Sequence, residues 1–464
     1  MTNKGYKNHV YIPNSVPEVQ EEMLKEIGVK SLEDLHEDIP EELKLKELEK
    51  LPEPFESECE LKRHMNEILR KNKTCEDNIS FLGAGCYHHY VPAVCDEINS
   101  RAEFLTAYGG EPYEDHGRFQ ALFEYQSLMG ELLDMDVVNV PTFDYGQAAA
   151  TSIRMAYRIT KRHKVIIPKS ISPDRFLIIK NYCSPQIELI FVDFDKKTGL
   201  IDIDDLKNKM SNEIAAVYIE NPSFLGAIEQ NAKTISEITH DFESIFIVGT
   251  DPISLGVLEA PANYGADIVC GDLQALGMHM NYGGGQAGFI ATRDEEKYVM
   301  EYPSRLFGIA PTIVEGEYGF GDVAYERTSF ALRENGKEYV GTQAALWGIT
   351  AGVYLSLLGP NGMYEIGKTI MQKSQYAVHE LNKINGVKGN LFNSSFFKEF
   401  VVDFNGTGKT VEEINKALLE RGIFGGLDLS NIFKEFGQCS LYCVTETITK
   451  DDIDKLIAAI NEIV

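Results

Sequence analysis

Ser244-Ile-Phe-Ile-Val-Gly249, Thr250-Asp-Pro-Ile-Ser-Leu-Gly256, Asp267-Ile-Val-Cys270, Gly271-Asp-Leu-Gln-Ala-Leu-Gly-Met-His-Met280 and Tyr282-Gly-Gly-Gly-Gln-Ala-Gly288 follow one another in a single stretch of the chain. The first and third segments are short apolar runs rich in β-branched residues, which predicts buried strands. Asp251 stands at the end of the first strand, where a carboxylate is costly unless it is paired. No lysine occurs between Lys233 and Lys297.

Working outward, further apolar runs are Lys164-Val-Ile-Ile-Pro168, Ile187-Glu-Leu-Ile-Phe-Val192, Ile214-Ala-Ala-Val-Tyr-Ile219 and Gly288-Phe-Ile-Ala291. Amphipathic helical patterns lie between several of them. Continuous Val/Ile runs joined by helical crossovers predict an α/β fold with a mostly parallel sheet covered on both faces. We place this large α/β domain at 76–325. Residues 1–75 read as a polar, helix-rich arm with too little apolar surface for its own core. Residues 326–464 read as a smaller α+β domain. Within it we expect one helix over Ala344–Leu358, a second running to about Ile384, and a capped terminal helix over Thr449–Val464.

The chain has 464 residues, too many for one simple core. Its net charge of −27 argues against nucleic acid and anionic membranes as partners. No signal-peptide-like segment or apolar run of ~20 residues is present. The eight cysteines are scattered, with Cys439 and Cys443 the closest pair, and none has a zinc or redox spacing. Reduced thiols in the cytoplasm are expected.

Strand, strand-end Asp, second strand and glycine cluster come in the order found in pyridoxal-phosphate (PLP) enzymes. There the Asp holds the pyridinium nitrogen and a lysine roughly 20–25 residues later holds the cofactor covalently. Here 271–280 offer no amine, so no covalently held cofactor is expected on this chain. Asp251 has a second reading, as the cap of the turn Asp251-Pro-Ile-Ser254. In Phe81-Leu-Gly-Ala-Gly-Cys-Tyr-His-His-Tyr-Val-Pro92, residues Tyr87, His88 and His89 suit a ligand wall, or equally a glycine turn with satisfied histidines. No metal site is expected, since adjacent histidines rarely converge on one ion. Arg101–Gly117, with Tyr108, Glu111 and His116, lacks periodicity in the manner of functional loops. Gly146 and Gln147, in Tyr145-Gly-Gln-Ala-Ala-Ala-Thr151, suit either a phosphate cradle at a helix start or close packing on the sheet. Gly283 and Gly284 complete the candidates.

These segments resemble subunit 1 of the two-subunit glycine dehydrogenase (decarboxylating) family, the P-protein α subunit of the glycine cleavage system. The likeness is carried by Tyr11-Ile-Pro13, Asp38-Ile-Pro40, Phe81-Leu-Gly-Ala-Gly85 with Tyr87, His89 and Pro92, and Arg101-Ala-Glu-Phe-Leu-Thr-Ala-Tyr108. Phe123-Glu-Tyr-Gln126, Asp251-Pro-Ile-Ser-Leu-Gly256, Tyr264-Gly-Ala-Asp-Ile-Val269, Gly283-Gly284 and Tyr354-Leu-Ser-Leu-Leu-Gly-Pro360 extend it nearly end to end. The resemblance implies a fold-type-I PLP-transferase architecture. It also implies a separate subunit 2 that carries the lysine and PLP. The complex would decarboxylate glycine and pass the aminomethyl group to a lipoyl H-protein, in a hetero-oligomer. The loops at Tyr87–Tyr90 and Tyr108–His116 would then face the partner's cofactor, His89 foremost. Two segments, 109–117 and 327–343, depart from the family pattern. They leave open another amino acid or carrier as substrate, or a non-catalytic binding role.

Overall fold

The computed structural model describes residues 11–44, 55, 57–104, 116–303, 305–328, 332–338 and 343–464. The chain divides into two units, 1–72 and 73–464.

In the first unit, helix α1 (Pro17–Ile27) has proline in its first turn. It ends at Gly28, whose left-handed backbone returns its N–H to the Leu24 and Lys25 carbonyls. Helix α2 (Glu58–Leu69) is capped by the Ser57 hydroxyl, which accepts from the Glu60 amide. The Ser31 hydroxyl donates to Asp34 Oδ1 at 3.0 Å at a single 3-10 turn, Glu33–His36. Neither α1 nor α2 buries a residue.

The second unit is built on a seven-stranded sheet. Its strands are β1 (Val137–Val138), β2 (Lys164–Pro168), β3 (Glu188–Val192), β4 (Ile214–Glu220), β5 (Ile245–Thr250), β6 (Ile268–Asp272) and β7 (Gly288–Thr292), in the order β1-β7-β6-β5-β4-β2-β3. All pairings are parallel except those of β7, which runs antiparallel to β1 and β6. Successive residues alternate between two apolar layers. Ile166, Val217, Ile219, Phe246, Val248 and Val269 face one. Val165, Ile167, Tyr218, Ile247, Ile268 and Cys270 face the other. Helices α3 (His116–Leu133) and α5 (Ala345–Leu381) supply Tyr125, Met129, Tyr354 and Leu355 to the first layer. Helix α4 (Tyr145–Thr160) and the helix Pro173–Cys183 cover the second. Each such side chain contributes about 1.5–3 kcal/mol by leaving water, and this double cover is why the strands read as unbroken apolar runs.

The two helices expected on either side of Gly359-Pro360 are both present within α5: the helical backbone is interrupted at Gly359, which takes φ 57° and ψ −174°, and Pro360, which lacks an N–H, follows it. Beyond it, β10 (Glu399–Asp403), β11 (Leu427–Asp428) and β12 (Cys439–Cys443) form an antiparallel sheet in the order β10-β12-β11. Before β10, an antiparallel hairpin joins β8 (Phe307–Pro311) to β9 (Tyr318–Asp322). Helices α6 (Val411–Glu420) and α7 (Lys450–Ile463) both start in complete capping boxes, Thr410/Glu413 and Thr449/Asp452. Ile79–Ser80 pairs in parallel with Ile423–Phe424. That pairing lays the glycine loop after Phe81 against the C-terminal sheet. No helix among the described residues is long and apolar enough to cross a membrane.

Candidate functional site

Asp251 leaves β5 just as Pro252 starts a 3-10 turn, and its Oδ1 accepts from the Ile253 amide at 3.1 Å. Its Oδ2 lies 2.7 Å from Nζ of Lys398, a lysine only 3% exposed at the edge of β10. The carboxylate therefore caps its turn and is also ion-paired within its own chain. The Lys398 ammonium sits 3.3 Å from the centroid of the Tyr87 ring, a cation–π contact. It also reaches His89 Nε2 at 3.2 Å. An ammonium can only donate, so Nε2 accepts and the His89 proton is on Nδ1. From there it is donated to Glu446 Oε2 at 2.7 Å. Glu446 Oε1 accepts from the Tyr90 amide at 2.7 Å. Burial would raise the Glu446 pKa, but the His89 ring and the Tyr90 amide more than offset it and hold it at about 2.

The same loop is fixed from its other side. The Tyr87 hydroxyl donates to Glu399 Oε2 at 2.9 Å, and the Ala84 amide donates to Oε1 at 2.6 Å. Burial raises the Glu399 pKa against those donors and Lys398. The Gln274 side chain both accepts from the Tyr87 amide and donates to the Tyr87 carbonyl, each at 3.0 Å. Arg175 grips Glu220 with two bonds of 2.7 and 2.8 Å and lies 4.3 Å from the Tyr145 ring centroid.

The start of α4 is taken up by carboxylates. Asp144 accepts from the Gln147 amide at 2.7 Å, and Asp272 Oδ2 accepts from the Tyr145 amide at 3.1 Å. The Gln147 side chain accepts from Phe143 N at 2.8 Å and donates to the Tyr182 hydroxyl at 3.0 Å. A Cβ added at Gly146 would lie 2.5 Å from Ile178 Cδ1, so this glycine serves close helix packing. Burial pushes Asp272 up to about 7, against the Gln274 and Tyr145 amides, with Asp144 adding repulsion.

These residues do not fit PLP. The Asp251 carboxylate faces Lys398 where a pyridinium would sit. Asp144 and Asp272 occupy the helix start where a phosphate would be cradled. Two cavities of about 30 Å³ each remain between Tyr87, Tyr145, Arg175 and Asp251, room for one or two waters apiece.

Of the sequence candidates, Tyr87, His89 and Asp251 thus converge on one network, and Tyr87 and His89 turn into their own chain. His88 contributes its carbonyl to the Thr445 and Thr447 hydroxyls at 2.7 and 3.1 Å, and burial lowers its pKa. Gly146 and Gln147 lie at the occupied helix start. Gly283 and Gly284 are on an exposed turn away from the network; Gly283 has φ 87° and open space on the side where a Cβ would stand. Tyr108 and Glu111 lie outside the described residues, and only the backbone of His116, the first residue of α3, is described. Sequence reasoning missed Lys398, Glu399, Glu446, Arg175 and Asp272. The available signal was Lys398-Glu399, two charges opening an otherwise apolar strand.

The family model of the glycine cleavage system P-protein matches residues 9–460. A probable glycine dehydrogenase (decarboxylating) subunit 1 of Staphylothermus marinus is 41% identical over 467 residues, covering 98% of each chain. Its namesake in Thermococcus kodakarensis is 40% identical over 458 residues, again covering 98% of each. The crystal structure of an inhibitor-bound glycine decarboxylase (P-protein) of the glycine cleavage system matches with a TM-score of 0.84 at 31% identity, over 98% of this chain and 100% of that one. A sphingosine-1-phosphate lyase of Burkholderia pseudomallei matches with a TM-score of 0.65 at 14% identity, over 92% of this chain and 94% of that one, a likeness of fold alone. The architecture is that of fold-type-I PLP-transferases.

Proposed function

Because the chain belongs to the glycine cleavage system P-protein family, we propose that it is the lysine-lacking subunit 1 of a glycine decarboxylase and works only with a PLP-bearing subunit 2. PLP, when bound, supplies the electron sink for loss of CO2 from an amino acid. On this reading the partner holds it, glycine is the amino acid, and a lipoyl H-protein takes the aminomethyl group. The observation that carries the reading is the Asp251–Lys398 pair, 2.7 Å apart, with no lysine from 234 to 296. The network it anchors keeps the loop 81–90, the end of β5 and the C-terminal sheet in one fixed arrangement. This chain then contributes shape to a shared cleft rather than a reacting group. Tyr108, Glu111 and His116 remain its proposed contributors to that cleft, and the cytoplasm is its proposed compartment.

The test is reconstitution with the lysine-bearing sister subunit. Glycine-dependent CO2 exchange with lipoyl H-protein should need both chains. Borohydride reduction should leave the pyridoxyl label on the sister subunit alone. A stoichiometric adduct on this chain would overturn the assignment. Because segments 109–117 and 327–343 depart from the family pattern and leave another amino acid open, other small amino acids are run beside glycine in the same assay.

A further inference from the structure

Strands β8 and β9, among the described residues, pair only with each other. A two-stranded ribbon alone is marginal in water, and its free edges invite further pairing. Here the root is firmly held. Arg305, 2% exposed, forms a two-point ion pair with Asp322, one bond of which is 2.8 Å. Phe307 packs in a tilted contact on Phe119 with ring centroids 4.6 Å apart, and Phe320 does the same on Phe123 at 5.4 Å.

The register puts Phe307 opposite Asp322, Ile309 opposite Phe320 and Pro311 opposite Tyr318, so these six residues share one face. That face begins in the core at Phe307 and the Arg305-paired Asp322, and beyond them runs outward through Ile309, Phe320, Pro311 and Tyr318. Ile309 is 51% exposed, Tyr318 67%, and Ile313 in the connecting turn is fully exposed. The opposite face, Gly308, Ala310, Gly319 and Gly321, carries almost no side chain. A rigid root with an apolar face leading away from the body is the form of an arm that grips something else.

The electrostatics select the occupant. Glu315 and Glu317 sit at the tip. At the root, a groove of about 540 Å³ is floored by Phe123, Leu306 and Phe307 and edged by Glu131, Asp134, Asp136 and Asp294. Arg293 is the cation beside them, 3.7 and 3.6 Å from Asp134 and Asp136. A two-fold contact between copies would set this acidic rim against itself. The chain as a whole carries −27. A different chain, apolar at the contact and basic around it, is the complementary partner.

We infer that the β8–β9 arm is the surface by which this chain holds the PLP-bearing subunit. The inference rests on the two-subunit reading above. The test is sedimentation of the full chain with the lysine-bearing sister subunit from the same genome, comparing wild type with Ile313→Glu and with Ile309→Glu/Tyr318→Glu. Each variant should weaken assembly at least tenfold, and the double variant more, with circular-dichroism melting of the isolated chain unchanged. Affinity within twofold of wild type for both would overturn the arm while leaving the two-subunit reading intact. Wild-type chain that ignores the sister subunit would sink that reading, and the arm's assignment with it. If the variants instead abolish self-association of this chain and spare the mixed complex, the occupant is a second copy and the inference is wrong. Should a charged variant melt early, Ile313→Ser takes its place with the same criterion.

Discussion

The Asp251 pocket and the β8–β9 arm resolve opposite problems in opposite ways. The pocket buries charge, and its charges are answered from within: Lys398 by Asp251, Arg175 by Glu220, and Glu446 by the Nδ1–H of His89. The arm exposes apolar surface, with Ile313 fully and Tyr318 mostly exposed among the described residues. Burying an unpaired charge is costly, so charges placed this deep must find partners within the chain. Exposed apolar residues on an anchored ribbon carry no such penalty in the free chain, and they gain when covered. The difference separates a pocket filled by its own side chains from a surface left open to solvent.

The comparison breaks most visibly at Lys398. Lys398→Met leaves Asp251 beside an apolar side chain and takes the donor from His89 Nε2. Unfolding free energy should fall by about 3–5 kcal/mol, the usual consequence of stranding one member of a buried pair. Urea denaturation reads it directly. Adding Asp251→Asn should return part of the loss, because the two positions are coupled. A loss under about 1 kcal/mol for Lys398→Met would mean that water already screens the pair and the pocket is open.

Much of this frame was legible in the sequence. The strands of the main sheet declared themselves because burial on both faces demands continuous β-branched runs. Thr449 declared a helix start by capping chemistry. Asp251 stood out as a carboxylate at a buried strand end. Its partner did not, since an ion pair between distant segments leaves no periodic trace in either. The inward turn of Tyr87 and His89 was hidden for the same reason: a loop side chain's direction is fixed by Lys398 and Glu399, far along the chain. The arm escaped notice because four of its sheet-forming and turn positions are glycine, at 308, 316, 319 and 321, which weakens the alternation that marks a strand.

Asp272 sharpens the contrast, because it is a pocket carboxylate held by backbone amides, those of Tyr145 and Gln274, rather than by a cation. Its ordinary pKa is near 3.8, and burial pushes it up to about 7. Between those values the folded chain holds a proton that the unfolded chain has released. Stability from this group is therefore present below about pH 4 and is lost as pH rises to about 7, then stays flat. The lost term is about 2–4 kcal/mol, at ~1.4 kcal/mol per pH unit and reduced because the carboxyl keeps some contact with solvent. Asp272→Asn removes it. The variant's stability relative to wild type, from urea melts at pH 4.5 and 8, should improve by that amount at the higher pH. Other acids cancel in the difference. An offset that does not change with pH would show Asp272 ionised in the fold, with its amide donors outweighing burial.

The smallest expected effect tests the other half of the comparison. Ile313→Ser should change the unfolding free energy of the isolated chain by no more than about 0.5 kcal/mol, the ordinary range for a surface position. Ile313 is fully exposed, so it has no apolar contact to lose. The arm's stability comes from its root, from the Arg305–Asp322 pair and the tilted Phe119–Phe307 and Phe123–Phe320 ring contacts, none of which the substitution touches. Serine also lowers the apolar area that the free chain shows to water, so turbidity on concentrating the isolated chain should fall. A destabilisation above about 2 kcal/mol would mean that the turn folds back onto its own body in solution. The apolar face would then belong to the core, and the arm would have nothing left to present.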